Sequence, residues 1–262
     1  MCVRSGDSEV DDHTVVGRAV AILDCVASAA SPLPLAALTR RTGIPKPTVR
    51  RIANDLTERG MLVLTSDGYL AGSRLINQGL HSAHHRGTSV LAQPYVQELH
   101  LQTRGEFAWF ATMEDGDLTM TATAFGRAHV AVMRGSFFPS LSAVGSSKVV
   151  LAAGRLQAAH QPEAADLILS TGWAPLTRYS VTDRHRLRNL LCEARDTGLA
   201  HESEQTLLGW TCLAAAVRDS AGELTGAIGV SGRGSNIDAR GVQSVLKRCA
   251  ESLAAELIPR PA

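Results

Sequence analysis

The 262-residue sequence predicts an α+β protein in two parts, a small helical domain that ends in a hairpin and a larger domain with an antiparallel sheet. Three observations indicate this. Two short helices bounded by Pro and Gly occupy residues 32–60, and a hairpin pattern follows them. From residue 105 onward, the apolar periodicity changes from helical to alternating. The apolar content of 45% is ample for a core.

The first feature is the helix pair. Leu35 and Leu38 give the first helix a buried edge, and Gly43 ends it. The second helix starts near Pro47 and stops at Gly60, because Pro is tolerated at a helix start and Gly favours a helix end. Its apolar positions fall at i, i+3, i+4 and i+7, which predicts a buried stripe of Val49, Ile52, Ala53 and Leu56.

The second helix keeps a polar set outside that stripe, mostly near its N-terminus. This set contains Lys46, Thr48, Arg50, Arg51 and Asn54. When the front of a helix enters a DNA major groove, cations and amides reach phosphates while Arg, Asn or Thr contact base edges. We therefore predict that these five residues bind DNA. An ordinary helix pair with a solvated basic face is the alternative.

A hairpin pattern directly follows the helix pair. MLVLTSDGYLAG places a Ser-Asp-Gly turn between two short apolar runs, as in a β-hairpin. Ahead of the pair, Val16, Val20, Leu23 and Val26 mark an amphipathic helix that would complete a three-helix core. Three helices followed by a two-stranded ribbon form a winged helix-turn-helix. This order of elements favours DNA binding, with the wing around residues 66–68 on the backbone or in the minor groove.

Charge and cysteine usage exclude several classes of protein. The net charge is only +1, so the chain as a whole is not a polycation; the charge is unevenly placed, and six of the 26 Lys and Arg residues lie within residues 40–59. Five scattered cysteines with no CxxC pair argue against a disulfide framework and a zinc site. His81, His84 and His85 have no acidic or thiol neighbours in sequence, and we expect neither a metal nor a cofactor. With no signal peptide and no apolar span, we expect a cytoplasmic protein without membrane contact.

We divide the chain into four segments: a disordered leader at 1–13, the winged helix-turn-helix DNA-binding domain at 14–72, a linker helix at 73–85, and an effector-binding domain at 86–262. In the last segment we predict a hairpin around 114–117, a third strand at 129–135 and a helix from Ser146 to Arg155. A helix capped by Thr182, two strands (TCLAAAVRD and ELTGAIGVSG) and a last helix at 238–257 follow.

Motifs along nearly the whole chain resemble the IclR family of bacterial transcriptional regulators. They are VGRAVAILD at 16–24, GIPKPTVRRIANDLTERG at 43–60, residues 69–72, GSSKVVLAA at 145–153 and ESEQTLLGWTCLAAAVRDSAGELTGAIGVSG at 202–232. The resemblance implies a GAF-like second domain that binds a small-molecule effector. It also implies a homodimer, or a dimer of dimers (homotetramer), on palindromic or repeated double-stranded DNA operators. Repression or activation depends on where the operator lies, which no residue encodes.

The resemblance also implies effector-binding positions. Relatives that bind small oxo-acids use backbone amides at the start of a Gly-Lys helix, an acid, a cysteine and serines on the last strand. The matching positions are Gly145, Ser146, Glu202, Cys212 and Ser231. Three departures appear: Ser147 replaces the Gly before Lys148, Glu202 replaces an Asp, and Gly229 replaces a strand serine. Because the volume and hydrogen bonds of the site change, we do not expect the simplest oxo-acid as effector.

The same residues can be considered without the family. Gly145-Ser146 at a helix start would offer unpaired N–H groups to a carboxylate, although an ordinary Ser N-cap fits equally. Cys212 in an apolar strand is by default a buried inert thiol, and Glu202 is by default a surface acid. Trp109 and Phe110 either form an apolar wall for a larger or aromatic ligand or pack in the core.

Two other functions stay as alternatives. An enzyme using Cys212 is the less favoured: GSSK is neither a Ser-x-x-Lys nor a phosphate-binding motif, and GAIGVSGRG lacks the dinucleotide-binding spacing. We therefore assign no catalytic residue. An architectural DNA-binding protein without ligand response is the other alternative, but mere packaging would not need the large apolar second domain.

Overall fold

The computed structural model describes residues 14–29, 31–85, 88–103, 105–114, 117–130, 141–234, 237 and 239–257. The predicted leader at 1–13 lies outside these ranges. The chain separates into two compact units, one with residues up to His85 together with 141–143, and one with residues 88–130 and 144–257. No helix in the described ranges is both long and apolar enough to cross a membrane.

The first unit contains the three helices, the ribbon and the linker helix that the sequence predicts. Its elements are α1 (Val15–Ala27), α2 (Leu35–Thr42), α3 (Lys46–Glu58), β1 (Leu62–Leu64), β2 (Tyr69–Ala71) and α4 (Ser73–His85). Strands β1 and β2 pair antiparallel, and Leu33 adds an isolated bridge to Tyr69. The predicted buried stripe of α3 is confirmed.

The predicted stripe of α1 is partly wrong. Val26 is buried as expected, and Ile22 and Cys25 share its face. Val16 and Val20, by contrast, are 73% and 47% exposed. Apolar side chains nearly surround α1, so its periodicity alone does not single out a buried face.

The second unit is a five-stranded antiparallel sheet with helices on both faces. Its elements are α5 (Thr88–Thr103), β3 (Phe107–Glu114), β4 (Asp117–Phe125), α6 (Ala152–His160), α7 (Pro162–Thr171), α8 (Arg184–Thr197), β5 (Leu199–Ser203), β6 (Trp210–Arg218), β7 (Leu224–Arg233) and α9 (Ala239–Glu256). The strand order is β4-β3-β7-β6-β5. Helices α5 and α9 bury one face of the sheet with Phe110, Leu213, Ile228 and Val230, and α6 packs against β5, β6 and β7 on the other.

Several sequence predictions for this unit need correction. His129, expected at the start of a strand, lies in a 3₁₀ turn at Arg127–His129, and residues 131–135 fall outside the described ranges. The cap of α8 is Asp183 instead of Thr182, because the Asp183 carboxylate accepts a 2.7 Å hydrogen bond from the Arg186 N–H. The edge strand β5 was not predicted at all, since LAHES is short and carries polar residues at three of its five positions.

The predicted helix from Ser146 to Arg155 is also wrong. Residues 141–150 form a 3₁₀ segment with a kink at Gly145, whose φ of 52° and ψ of −133° are not helical. Leu151 is extended, and the α-helix α6 begins only at Ala152. The turn between them is tight: a Cβ at Gly154 would lie 2.0 Å from the Lys148 carbonyl oxygen, so only glycine fits there.

The wing generates a stability prediction. Gly68 has a φ of +141°, and a Cβ at this position would lie 2.4 Å from the Leu33 carbonyl carbon. Gly68→Ala should therefore break the Leu33–Tyr69 bridge and destabilise the first unit by about 2 kcal/mol or more. Gly79→Ala is the matched control, because Gly79 lies within α4 with open space around it and Ala favours a helix. Hydrogen exchange of the 31–72 amides distinguishes the two; equal protection in both variants would contradict the prediction.

Candidate functional site

The five predicted DNA-binding residues lie on one helix, α3. Lys46, Arg50, Arg51 and Asn54 are exposed, and Thr48 is half-buried. Within the described part of the chain, neither arginine has an ion pair or hydrogen bond to another residue. Arg59, by contrast, pairs with Asp55 at 3.1 Å. The guanidinium groups at the front of α3 are therefore available for an external anion.

The charge distribution along α3 is unfavourable for an isolated helix. Cations stabilise the C-terminus of a helix and oppose the positive dipole at its N-terminus. Lys46, Arg50 and Arg51 nevertheless lie in the first two turns, and no acid is present in the first turn. A phosphate at this end would be attracted by both the dipole and the cations. The arrangement suits binding of a polyanion better than stability of the free protein.

Three predicted effector residues form a continuous row across the sheet of the second unit. Glu202 on β5 lies opposite Cys212 on β6, and Cys212 lies opposite Ser231 on β7. Directly paired residues project from the same face, here the one covered by α6. Glu202 and Ser231 are only 3% and 4% exposed. We call these three residues the polar row.

A buried guanidinium group stabilises the β5 end of the polar row through hydrogen bonds. Arg155 of α6 is 1% exposed and donates to the carbonyl oxygens of Val149 and His201 at 3.2 and 2.8 Å. It also donates to Gln205 Oε1 at 3.1 Å. The backbone N–H of Gln205 in turn donates to Glu202 Oε2 at 2.9 Å. Arg155 and Glu202 are thus connected through one intermediate residue.

Gln205 also connects this network to the loop at 172–183. Its side-chain oxygen accepts from the Val181 N–H at 3.2 Å, and its carbonyl oxygen accepts from the Ser180 hydroxyl at 2.6 Å. The Thr177 hydroxyl donates to the neighbouring Glu204 carbonyl at 2.6 Å. The loop is therefore fixed to the strand end that carries Glu202.

Burial shifts the pKa of each ionisable group in this region. It raises the pKa of Glu202 to about 7, although hydrogen bonds from the backbone of Gln205 and Thr206 oppose the shift. It raises the pKa of the Cys212 thiol to about 12, with the nearby Glu202 charge acting in the same direction. Burial lowers the pKa of Arg155 to about 10, partly offset by Glu202. Near pH 7 the row therefore has a protonated thiol and a carboxyl that is partly protonated.

The two aromatic residues of β3 face opposite sides of the sheet. Trp109 lies on the face of the polar row, and its indole N–H donates to Ser231 Oγ at 3.1 Å. Phe110 is fully buried in the core between the sheet and helices α5 and α9. For Phe110 the core-packing interpretation is confirmed, while Trp109 contacts the predicted site.

The structure does not connect Gly145 and Ser146 to the polar row. Ser146 is exposed, and no hydrogen bond or ion pair joins either residue to the row in the described part of the chain. The α-helix over this face starts instead with Ala152, Ala153 and Gly154, which are buried. The first N–H groups of a helix have no intrahelical acceptor, and Leu151 provides no side-chain cap.

Sequence reasoning missed Arg155 and Gln205. Arg155 was assigned to the end of a helix, where an arginine is normally solvated, and Gln205 lies in a turn with no motif of its own. The available signal was Gly154-Arg155, a glycine followed by a cation near a helix start. In the described ranges, no group of three or more His, Cys, Asp or Glu side chains is placed to hold a metal ion.

Comparison with known proteins places the chain in a family. The family model for the bacterial transcriptional regulator IclR C-terminal domain matches residues 80–255. The model for the IclR helix-turn-helix domain matches residues 15–66. The chain belongs to the IclR family of bacterial transcriptional regulators. The α+β fold and the resemblance noted in the sequence are confirmed.

Individual relatives of this IclR-family protein are distant but match over most of their length. The DNA-binding transcriptional repressor YiaJ of Escherichia coli K12 is 25% identical over 90% of this chain and 83% of its own. The E. coli K12 transcriptional repressor AllR is 24% identical over 84% and 80%. A crystal structure of an IclR homologue from Microbacterium hydrocarbonoxydans, complexed with 4-hydroxybenzoate, has a TM-score of 0.76 at 20% identity and covers 93% of this chain and 99% of that one.

The raised pKa of Glu202 generates a prediction about pH. The carboxyl binds its proton more tightly in the folded chain, with a pKa of about 7, than in the unfolded chain, near 4.5. The unfolding free energy of the second unit should therefore fall by about 3 kcal/mol in total as the pH rises through this window. Glu202→Gln should remove that slope, whereas Glu251→Gln, at an exposed position of α9, should keep it. Urea titrations between pH 4.5 and 8 followed by Trp fluorescence measure the slope, since all three Trp residues belong to this unit.

The Gln205 network generates a second prediction. Gln205→Ala leaves the Arg155 guanidinium and the Val181 N–H each without one acceptor in a buried region. The loss should be about 2–4 kcal/mol of unfolding free energy. Gln102→Ala, on the exposed side of α5, provides the matched control and should change stability by less than about 0.5 kcal/mol. Equal urea midpoints for the two variants would show that the network contributes no net stability.

Proposed function

We propose that this IclR-family protein is a sequence-specific regulator that binds a roughly palindromic operator as a homodimer or a dimer of dimers. Helix α3 enters the major groove, with Arg50 and Arg51 contacting base edges or phosphates and Asn54 beside them. Lys46 and Thr48 anchor the start of the helix. Half-sites should lie about one helical turn apart, roughly 10–10.5 bp, or more. The support is the exposed, unpaired cation set on α3.

We further propose that the second domain senses a small carboxylate-bearing metabolite. The observation that carries this is the polar row of Glu202, Cys212 and Ser231 on the sheet face that α6 covers, with Glu202 and Ser231 buried. The carboxylate seat proposed from the sequence, Gly145-Ser146, is better replaced by the first turn of α6. There the Ala152 and Ala153 N–H groups are buried without an intrahelical acceptor. The M. hydrocarbonoxydans homologue, complexed with 4-hydroxybenzoate, is an example of this fold with a carboxylate.

Self-association and mode of action are also part of the proposal. Val16 and Val20 on α1 expose apolar surface in the first unit, which a second copy of the chain would cover.

Relatives named as repressors make repression the mode of action to test first. Because its operator is chromosomal DNA, the protein would act in the cytoplasm.

Catalysis is the less favoured alternative. A catalytic cysteine needs a depressed pKa, because the thiolate is the nucleophile. Burial raises the pKa of the Cys212 thiol to about 12, which is typical of an inert packed side chain. We infer that Cys212 contacts the effector as a weak hydrogen-bond donor and performs no chemistry.

The proposed function is tested by a DNase footprint of the purified protein on the intergenic region upstream of its own gene. The footprint is repeated across salt concentrations and with a panel of small carboxylates. A discrete palindromic footprint near physiological salt that a carboxylate weakens or strengthens supports both parts of the proposal. Diffuse protection that disappears with salt would favour the architectural alternative.

The recognition-helix assignment generates a prediction for the same operator. Arg50→Ala or Arg51→Ala should cost about 1–3 kcal/mol of operator binding and relax specificity at one base position. Arg188→Ala, at an exposed position of α8, removes the same charge outside the DNA-binding domain and should leave affinity within about 0.5 kcal/mol. Fluorescence anisotropy with a labelled operator measures all three. Unchanged affinity in both α3 variants would refute the assignment.

A further inference from the structure

The Trp109 side chain on β3 lies against Gly229 on β7, the position where the resemblance leads us to expect a serine. Trp109 and Gly229 are direct cross-strand partners, so a side chain at 229 would project beside the indole. A Cβ at Gly229 would lie 2.3 Å from Trp109 Cζ2 and 2.7 Å from Cε2. The ring therefore lies directly over the glycine backbone. The indole can lie at this position because residue 229 has no side chain.

The indole also sets the hydrogen bonding of Ser231. Its N–H donates to Ser231 Oγ, which therefore keeps its own hydroxyl proton for another acceptor. The Cys212 thiol stays protonated and lies opposite Ser231 on the neighbouring strand. The Cys212 side chain is also hydrogen-bonded to Ser231 and approached by the Trp109 N–H, so the three side chains form one cluster. One proton of the hydroxyl and thiol pair remains available to an oxygen atom of an anion.

The volume at this end is already filled. Trp109 is 4% exposed, and its large ring covers both Gly229 and the Ser231 hydroxyl. A ligand that reaches this end of the polar row must fit in the space that the indole leaves. A short aliphatic acid needs little more than room for its carboxylate. A ring next to the carboxylate would compete with the indole.

We propose that Trp109 is a specificity-determining residue that restricts the effector to short aliphatic carboxylates and excludes carboxylates attached to a ring. This inference rests on the proposed carboxylate site and narrows its ligand class. It is argued from the pairing of a tryptophan with a glycine across two neighbouring strands.

The test compares four acids on the full-length protein: propionate and pyruvate as short probes, benzoate and 4-hydroxybenzoate as ring probes. Thermal-shift measurements screen the four acids for binding, and isothermal titration calorimetry then gives the dissociation constants. The variants are Trp109→Ala, which removes the ring, and Trp109→Phe, which keeps a ring but removes the N–H. Phe110→Leu is the control, because it perturbs the same strand from the opposite face. Trp109→Leu replaces the Ala variant if that one does not fold.

The wild type and Phe110→Leu should bind a short acid and neither ring acid. Trp109→Ala should bind a ring acid and shift the ratio of ring-acid to short-acid affinity by tenfold or more, on the order of the effect of one well-packed side chain. Trp109→Phe should still exclude the ring acids while binding the short acid roughly tenfold more weakly, because Ser231 loses its donor.

Two results would overturn the inference in different ways. If the wild type binds a ring acid as tightly as Trp109→Ala does, Trp109 does not select for size, and the carboxylate site itself stands. If none of the four acids binds to any variant, the proposed carboxylate site is wrong and the inference fails with it.

Discussion

A buried positive charge is the constraint on which the second unit depends. Burying a guanidinium is costly unless several acceptors surround it, and removing one acceptor leaves a desolvated charge. Arg155 meets this requirement with acceptors from three separate segments: the end of the 3₁₀ segment, the edge strand β5 and the turn that follows β5. One side chain thereby connects three segments that belong to different elements of secondary structure. Its bond to the His201 carbonyl also covers a group on the edge strand that would otherwise be open to pairing with another strand.

The turn after β5 shows how closely this region is held. Glu204 adopts a φ of 57°, which is unusual for a residue with a side chain. Its N–H donates to the Trp210 carbonyl at 2.6 Å, and its carboxylate accepts from the Gly209 N–H at 2.8 Å. Such a conformation persists only where the surroundings over-determine it. The acid of the polar row therefore lies two residues from a strained position, within a rigid frame of hydrogen bonds.

The sequence predicted the parts of the molecule in which local pattern and tertiary structure agree. The buried stripe of α3, the wing and the strands that carry Cys212 and Ser231 all follow from periodicity and turn residues. The sequence predictions were wrong where tertiary packing determines the buried face or the start of a helix. The face of α1 could not be chosen because the helix is apolar on nearly all sides. The start of α6 was misplaced because the role of Gly154 depends on the approach of the Lys148 carbonyl, a contact that no spacing reveals. Arg155 was placed at the end of that helix for the same reason.

The polar row draws its three side chains from three strands, with no loop contributing to it. Its geometry is therefore a property of strand register, and a single inserted residue in β5, β6 or β7 would turn part of the row to the opposite face. Point substitutions leave the register intact. Over evolutionary time, such a sheet can change which metabolite it recognises by exchanging side chains in place, whereas gains and losses of residues are confined to the connections at its ends. Divergence of effector among proteins built this way should be recorded in substitutions within strands of constant length.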